Sequence, residues 1–321
     1  MKIYYAPLES ITGYPLRNAH HVLFPGIDKY YTPFLSANES GRFTGREGRD
    51  IAPGNNVGIP LIPQLLGKNS EQILRAVETM HGLGYREVNL NLGCPSGTVT
   101  AKGKGAGMLR DLSLLDSFFE ELFEGMERSG FREAVRISVK TRLGIYEPSE
   151  AEALVRLYNR YPISELIVHA RVLRDMYRSP VSLEGFSVFY ENAEMPLVYN
   201  GDICSREDYL ELLSRFPDVF AVMLGRGLVG NPALAREIRG GAGADREELW
   251  QYTELLLRNY QEEISGERNI LFKLKENWSY LYSRFAGAEK CRKELRKAST
   301  LLEYKAAVRR TFAECSLLSE E

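Results

Sequence analysis

The sequence predicts an α/β protein: a (β/α)8 TIM barrel over residues 1–240, followed by a small all-helical domain over residues 241–321. Three observations predict it. Eight short β-rich apolar runs alternate with amphipathic helical stretches, polar residues collect at the C-terminal ends of those runs, and strand candidates cease after the Gly/Ala-rich stretch at 240–244. With 321 residues, 44% of them apolar and 26% charged, the chain can bury one large core and a smaller one.

In chain order the strands are expected at residues 3–7, 30–34, 61–66, 86–92, 135–143, 165–171, 196–202 and 221–227. Helices are expected at 70–84, 113–130, 149–161 and 205–216, where apolar residues recur every three or four positions. Ser70, Ser149 and Ser205 stand where N-caps belong, and Gly84 and Gly130 where helices stop. The adjacent His20 and His21 read as a helix surface. Beyond the linker, residues 245–265, 269–286 and 288–314 read as helices. Their basic residues, Lys290, Arg292, Lys293, Arg296 and Lys297, are interleaved with Trp278, Tyr280, Tyr282 and Phe285.

Alternation assigns the faces. In the 86–92 strand Val88, Leu90 and Leu92 share one side and Asn89 and Asn91 the other; Ile137 and Val139 likewise oppose Ser138 and Lys140. Apolar residues therefore face the helices and polar ones the barrel mouth. Around that mouth, at strand ends, come Pro7 and Glu9, Gln64, Asn89 and Asn91 with Cys94, Lys140 and Arg142, His169 and Arg171, Asn200 and Asp202, and Arg226. Active sites of such barrels sit at this end.

Several function classes are excluded. The four cysteines, Cys94, Cys204, Cys291 and Cys315, have neither disulfide-framework nor zinc spacing, and no histidine or carboxylate pair accompanies His169, so no metal is expected. The start lacks an apolar signal segment and no run approaches a membrane span, which leads us to expect a cytoplasmic protein that does not engage a membrane. Net charge is −2, but residues 268–310 hold twelve Lys/Arg against four Asp/Glu, a local balance of +8 that points to a polyanionic partner.

Three features point to chemistry. Cys94 lies between Gly93 and Pro95 on a rigid turn at the mouth. Lys140 fits a Schiff-base lysine, a fixed positive charge for a cofactor, or a buried lysine paired with Asp202. Asn200-Gly201-Asp202 and Gly225-Arg226-Gly227 follow strands seven and eight, where barrels bind phosphate. The run Gly103-Lys104-Gly105-Ala106-Gly107 is no dinucleotide fingerprint, since the third glycine would fall on Met108; it reads as a mobile loop carrying Lys102 and Lys104.

Together these segments resemble the tRNA-dihydrouridine synthases, FMN-dependent enzymes, over nearly all of residues 1–310. The segments are Ala6-Pro7-Leu8 with Thr12 and Arg17, Gln64 to Gly67, Asn89 to Pro95 running on to Gly107, Val139 to Gly144, Val168 to Arg171, Asn200 to Ile203, and Leu224 to Gly227. The resemblance implies reduction of a tRNA uridine to 5,6-dihydrouridine, with FMN as cofactor and NADPH, or NADH, as reductant. Cys94 would be the proton donor to C5. Pro7, Leu8 and Glu9 would line the flavin, Gln64 would bond its pyrimidine edge, Lys140 would balance charge near N1, and His169 would help hold it. Asn200, Gly201, Asp202, Gly225 and Arg226 would take its ribityl chain and phosphate. Asn89, Asn91, Lys102, Lys104, Arg142, Arg171 and Tyr177 would meet the substrate. The implied partner is tRNA, gripped by the basic tail, with no obligate protein partner. Gly13, Ser179 and Asn277 depart from the family pattern. The rivals are an FMN barrel acting on a free pyrimidine, a Schiff-base aldolase, and a tRNA-binding protein without catalysis.

Overall fold

The computed structural model describes residues 1–318. Ten strands form its main sheet: β1 (Lys2–Tyr5), β2 (Lys29–Tyr31), β3 (Leu35–Ser36), β4 (Leu61–Ile62), β5 (Gln64–Leu66), β6 (Glu87–Asn91), β7 (Arg136–Arg142), β8 (Leu166–His169), β9 (Leu197–Asn200) and β10 (Ala221–Leu224). All neighbours are parallel, and β1 pairs with both β10 and β2. β4 and β5 are one expected strand split at Pro63, whose nitrogen carries no hydrogen for the ladder. The first half pairs with β2 and the second with β6, so this segment closes the barrel. The eight expected strands are thus the eight barrel staves, with β3 an added short strand beside β5.

The outer layer contains α1 (Tyr14–Leu23), α2 (Gly45–Ile51), α3 (Ser70–Gly82), α4 (Gly97–Thr100), α5 (Leu112–Arg128), α6 (Ala151–Tyr158), α7 (Leu183–Asn192), α8 (Arg206–Arg215), α9 (Arg226–Gly230) and α10 (Leu234–Ile238). Val88, Leu90, Leu92, Ile137 and Val139 pack outward against this layer, as alternation requires. The barrel interior is filled by a separate cluster that includes Tyr4, Tyr31, Ile167, Val198 and Met223. Below it Lys29 Nζ lies 2.8 Å from Glu87 and 2.7 Å from Glu165, and Tyr4 donates to Glu165 at 3.1 Å, plugging the N-terminal end.

Local signals are corrected in places. Asn69, not Ser70, caps α3 by accepting from the N–H of Gln72 at 2.9 Å. Ser149 lies inside a 3-10 turn that Glu147 and Glu150 cap reciprocally, whereas Ser205 does form a capping box with Asp208. His20 is no surface residue. It is fully buried, its Nδ1 2.8 Å from the Tyr30 hydroxyl and its Nε2 3.0 Å from the Pro232 carbonyl, and burial pushes its pKa down to about 3. Helix α7 escaped the periodicity because Gly185, Val188 and three aromatics are weak helix formers. Packing stabilises it, with Phe186 and Phe189 fully buried.

The C-terminal region comprises α11 (Arg246–Glu263), α12 (Glu267–Leu281), α13 (Glu289–Lys297) and α14 (Leu301–Glu314). The expected third helix is broken at Ala298–Thr300, where Thr300 caps α14. A two-stranded antiparallel pair, β11 (Phe285–Ala286) with β12 (Ser316–Leu317), joins its ends. Trp278 and Phe285 do not share the basic face, and Tyr282 only edges it beside Lys275, Arg292 and Arg296. They are core: the Trp278 ring lies 4.9 Å from Tyr282, and its Nε1 donates to Tyr304 at 2.8 Å. Helix α11 packs on α1, with Tyr252 edge-on to Phe24 at 5.7 Å, so this region and the barrel share one continuous apolar cluster.

Candidate active site

A cavity of about 510 Å³ opens at the C-terminal ends of the strands, within the range of roughly 300–1,000 Å³ of small-molecule and cofactor sites. The segment after β1 supplies Pro7, Leu8 and Glu9; β5 and β6 with its following turn supply Gln64, Asn91 and Cys94. Lys140 comes from β7, His169 from β8, and Tyr177 from the loop beyond β8. Asn200, Gly201, Asp202, Gly225 and Arg226 follow from the ends of β9 and β10.

Its floor is a one-way chain of amides. The Cys94 N–H donates to Asn91 Oδ1 at 2.9 Å, Asn91 Nδ2 to Gln64 Oε1 at 2.8 Å, Gln64 Nε2 to Asn89 Oδ1 at 2.8 Å, and Asn89 Nδ2 to Ser138 Oγ at 3.0 Å. Every donor faces an acceptor, so the buried amides cost little while fixing one another's orientation. Asn91 Oδ1 also takes the Gly93 N–H at 3.1 Å. The turn that presents Cys94 is therefore held from below by a strand side chain.

The Gly105–Arg110 segment is a 3-10 turn packed under Cys94, not the mobile loop expected. The Ala106 N–H donates to the Cys94 carbonyl at 3.1 Å. Gly105 adopts φ +58°, and a Cβ there would lie 2.9 Å from the Cys94 oxygen, which is why glycine stands at this position. Burial pushes the Cys94 thiol above its usual value, against the downward pull of the Ser96 backbone and the Arg142 and Lys140 charges. The thiol is thus protonated at neutral pH.

The opposite half is cationic. Lys140 has no ion-pair or hydrogen-bond partner among the described residues; burial, then the Arg142 charge, pushes its pKa down to about 7. The anticipated Lys140–Asp202 pair does not form. Asp202 instead receives Arg171, at 3.1 Å to Oδ1, and Arg226, at 2.5 Å. Arg171 Nη1 also lies 3.1 Å from His169 Nε2. A guanidinium can only donate, so Nε2 is the acceptor and His169 is neutral with its hydrogen on Nδ1. Burial among four cations holds its pKa well below 6.5 in agreement.

Not every predicted residue reaches the cavity. Asn89 lies beneath the floor. Arg142 and Arg171 are buried supports: Arg142 donates to the carbonyls of Gly93, Val172 and Met176, and Arg171 to Asp202 and the Ser179 carbonyl. Lys102 and Lys104 lie outside the lining. Phe34, Glu276 and Tyr280 line it without having been anticipated, the last two from α12. Glu276 accepts from the Ser10 hydroxyl at 2.7 and 2.8 Å, clasping α12 to the turn beside Glu9. No local pattern marks them, because α12 meets the mouth only through packing some 265 positions away in the chain.

A family model described as dihydrouridine synthase (Dus) matches residues 4–316. The chain belongs to the dihydrouridine synthase family. It is 29% identical over 256 residues to a tRNA-dihydrouridine(16) synthase of Cupriavidus necator, covering 77% of each chain. It is 26% identical over 314 residues to a probable tRNA-dihydrouridine synthase of Staphylococcus aureus, covering 94% of this chain and 90% of that one. Among solved structures, morphinone reductase superposes with a TM-score of 0.54 at 13% identity, covering 78% of this chain and 88% of that one. A histamine dehydrogenase from Rhizobium superposes with a TM-score of 0.57 at 12% identity, covering 89% of this chain and 51% of that one. These likenesses show the barrel fold. Gly13 is the N-cap residue of α1. The Asp50 carboxylate stands 3.6 Å from where its Cβ would be and accepts the Tyr14 N–H at 2.7 Å.

Proposed function

We propose that this protein reduces the C5=C6 bond of a uridine in tRNA to 5,6-dihydrouridine, with FMN as its cofactor, NADPH as its reductant and Cys94 as the proton donor. One observation carries the reading: a neutral thiol is fixed at the cavity floor, facing a cationic half. The cavity fits a flavin mononucleotide in chemistry as well as size. Lys140 offers an unpaired charge, Gln64 and Asn200 offer amides, and Arg226 begins α9 at the usual phosphate end of a barrel. Pro7, Leu8 and Glu9 would line the ring, His169 would offer its Nδ1 hydrogen, and Gly201, Asp202 and Gly225 would leave room for the chain and phosphate.

When bound, the flavin supplies the hydride that saturating a C=C bond needs and that no side chain can carry. Cys94 then gives its proton to C5 of the base, a task suited to a thiol protonated at neutral pH. Lys140, near neutrality in its own titration, can take up a proton as negative charge develops beside it. Asn91 and Tyr177 bound the space for the uracil, while Asn89, Arg142 and Arg171 act from beneath by holding those that do. The base must leave its stack to enter. The C-terminal region, basic over 268–310, would hold the tRNA, and the protein would work on it in the cytoplasm without an obligatory protein partner.

Replacement of Cys94 by alanine tests the reading. Cys94→Ala should retain flavin and lose dihydrouridine formation by about 10²–10⁴-fold, the usual weight of general acid catalysis. Mass spectrometry of tRNA from cells that carry only this variant measures it; an ordinary dihydrouridine content would refute the assignment.

A further inference from the structure

Two loops follow the strand ends that bear Lys140 and His169, and the second reaches the cavity through Tyr177. The loop after β7 carries Tyr146, and the loop after β8 carries Arg174, Met176, Tyr177 and Arg178. Their backbones are laced together, with Leu173 N–H on the Gly144 carbonyl at 2.9 Å and Arg174 N–H on that of Ile145 at 3.0 Å. Beneath the first loop the Glu150 carboxylate accepts the N–H groups of Ile145, Tyr146 and Glu147 at 2.9, 2.7 and 2.8 Å. Beneath the second, buried Arg142 donates to the Val172 and Met176 carbonyls, both at 3.0 Å. Met176 is held at φ +54°, which costs energy for a residue with a side chain. Rigid backbones thus hold side chains out in water: Tyr146 is 60% exposed, and Arg174 and Arg178 are exposed with it.

We infer that this rim is a stacking subsite for the single-stranded nucleotides that flank the reacting uridine, with Tyr146 the platform for a base and Arg174 and Arg178 the contacts to phosphate. The inference rests on the tRNA reading above. It deepens that reading by naming where unpaired RNA next to the target lies. Drawing a base out of its stack leaves its neighbours without a partner on one face, and an aromatic ring replaces that partner whatever the base. A tyrosine on a fixed turn does so with little ordering cost. The rim's acids interfere little. Glu147 forms an exposed ion pair of 3.8 Å with Arg174, which a phosphate can displace at little cost, and Asp175 turns inward to the Val172 N–H at 3.3 Å. An alternation of exposed aromatic and arginine suits bases and phosphates.

Binding of a fluorescent unmodified tRNA, and of a short single-stranded RNA containing uridine, to the flavin-loaded full chain tests this. Tyr146→Ala is expected to weaken both by roughly 5- to 100-fold, the range for loss of one stacked base. Tyr146→Phe, which keeps the ring, should bind as the parent does, and in turnover the alanine variant should raise KM for tRNA while kcat holds. An unchanged affinity in Tyr146→Ala, or an equal loss in Tyr146→Phe, would overturn the subsite. Dihydrouridine formation by the parent protein is measured on the same preparation. Ring-dependent binding without product would overturn the reaction and leave the subsite standing.

Discussion

At Asn91 a single amide oxygen accepts both the Gly93 and the Cys94 N–H, so the position of the thiol is set by a strand residue whose own orientation comes from Gln64. The floor behaves as a unit, and the thiol it carries, as the proposed acid, would have a definite pH signature. A general acid works while protonated, and burial pushes the Cys94 thiol above its usual value. The thiol's own contribution to turnover should therefore stay level through about pH 6 to 8 and decline only as the solution becomes more alkaline than the usual thiol range, so that any change near pH 7 in a kcat profile reports Lys140 instead. Lys140 makes a second prediction with the sign fixed by its environment. Its folded pKa is about 7 against 10.5 for an ordinary lysine, so the unfolded chain binds more protons between those values and stability rises with pH there. The penalty is complete below pH 7 and vanishes near 10.5. Lys140→Met should raise the melting temperature of flavin-free protein at neutral pH, with the gain shrinking as pH increases.

At the scale of elements, capping separates what a local pattern suggests from what a backbone uses. Asn69 accepts the Gln72 N–H, whereas Ser70 sends its hydroxyl to Glu121 at 2.6 Å on the neighbouring helix α5. Asn69→Ala should cost about 1 kcal/mol in urea unfolding and Ser70→Ala clearly less, because only the first leaves a helix N–H without its acceptor. The strands were legible from alternation, since a two-residue period leaves one choice of face once one side is buried. Gly105–Arg110 was not. A glycine-rich run reads as mobile until the turn it packs under is known, and here Gly105 and Gly107 closely approach the Cys94 and Thr100 backbones.

Across the whole molecule, the C-terminal helices are bound to the barrel by the apolar contact of α11 with α1 and by the Ser10–Glu276 clasp at the cavity edge. We therefore expect one cooperative thermal transition; calorimetry that resolves two would show that residues 241–321 unfold on their own. The clasp also means that α12 borders the cavity, so RNA held as proposed by the basic region would lie next to the chemistry.

The amino-acid sequence by itself determined the eight strands, their inward and outward faces, and the ring of Gln64, Asn91, Cys94, Lys140, His169, Asn200 and Arg226, because strand period and chain order force these onto one rim. Tertiary structure alone decided how the arginines divide, with Arg142 and Arg171 buried as supports and Arg226 half-exposed, since their partners are backbone carbonyls and a carboxylate distant in sequence. It also decided that Glu276 and Tyr280 reach the cavity and that His20 is buried. Such facts depend on which surfaces meet, and no local period in a chain encodes that meeting.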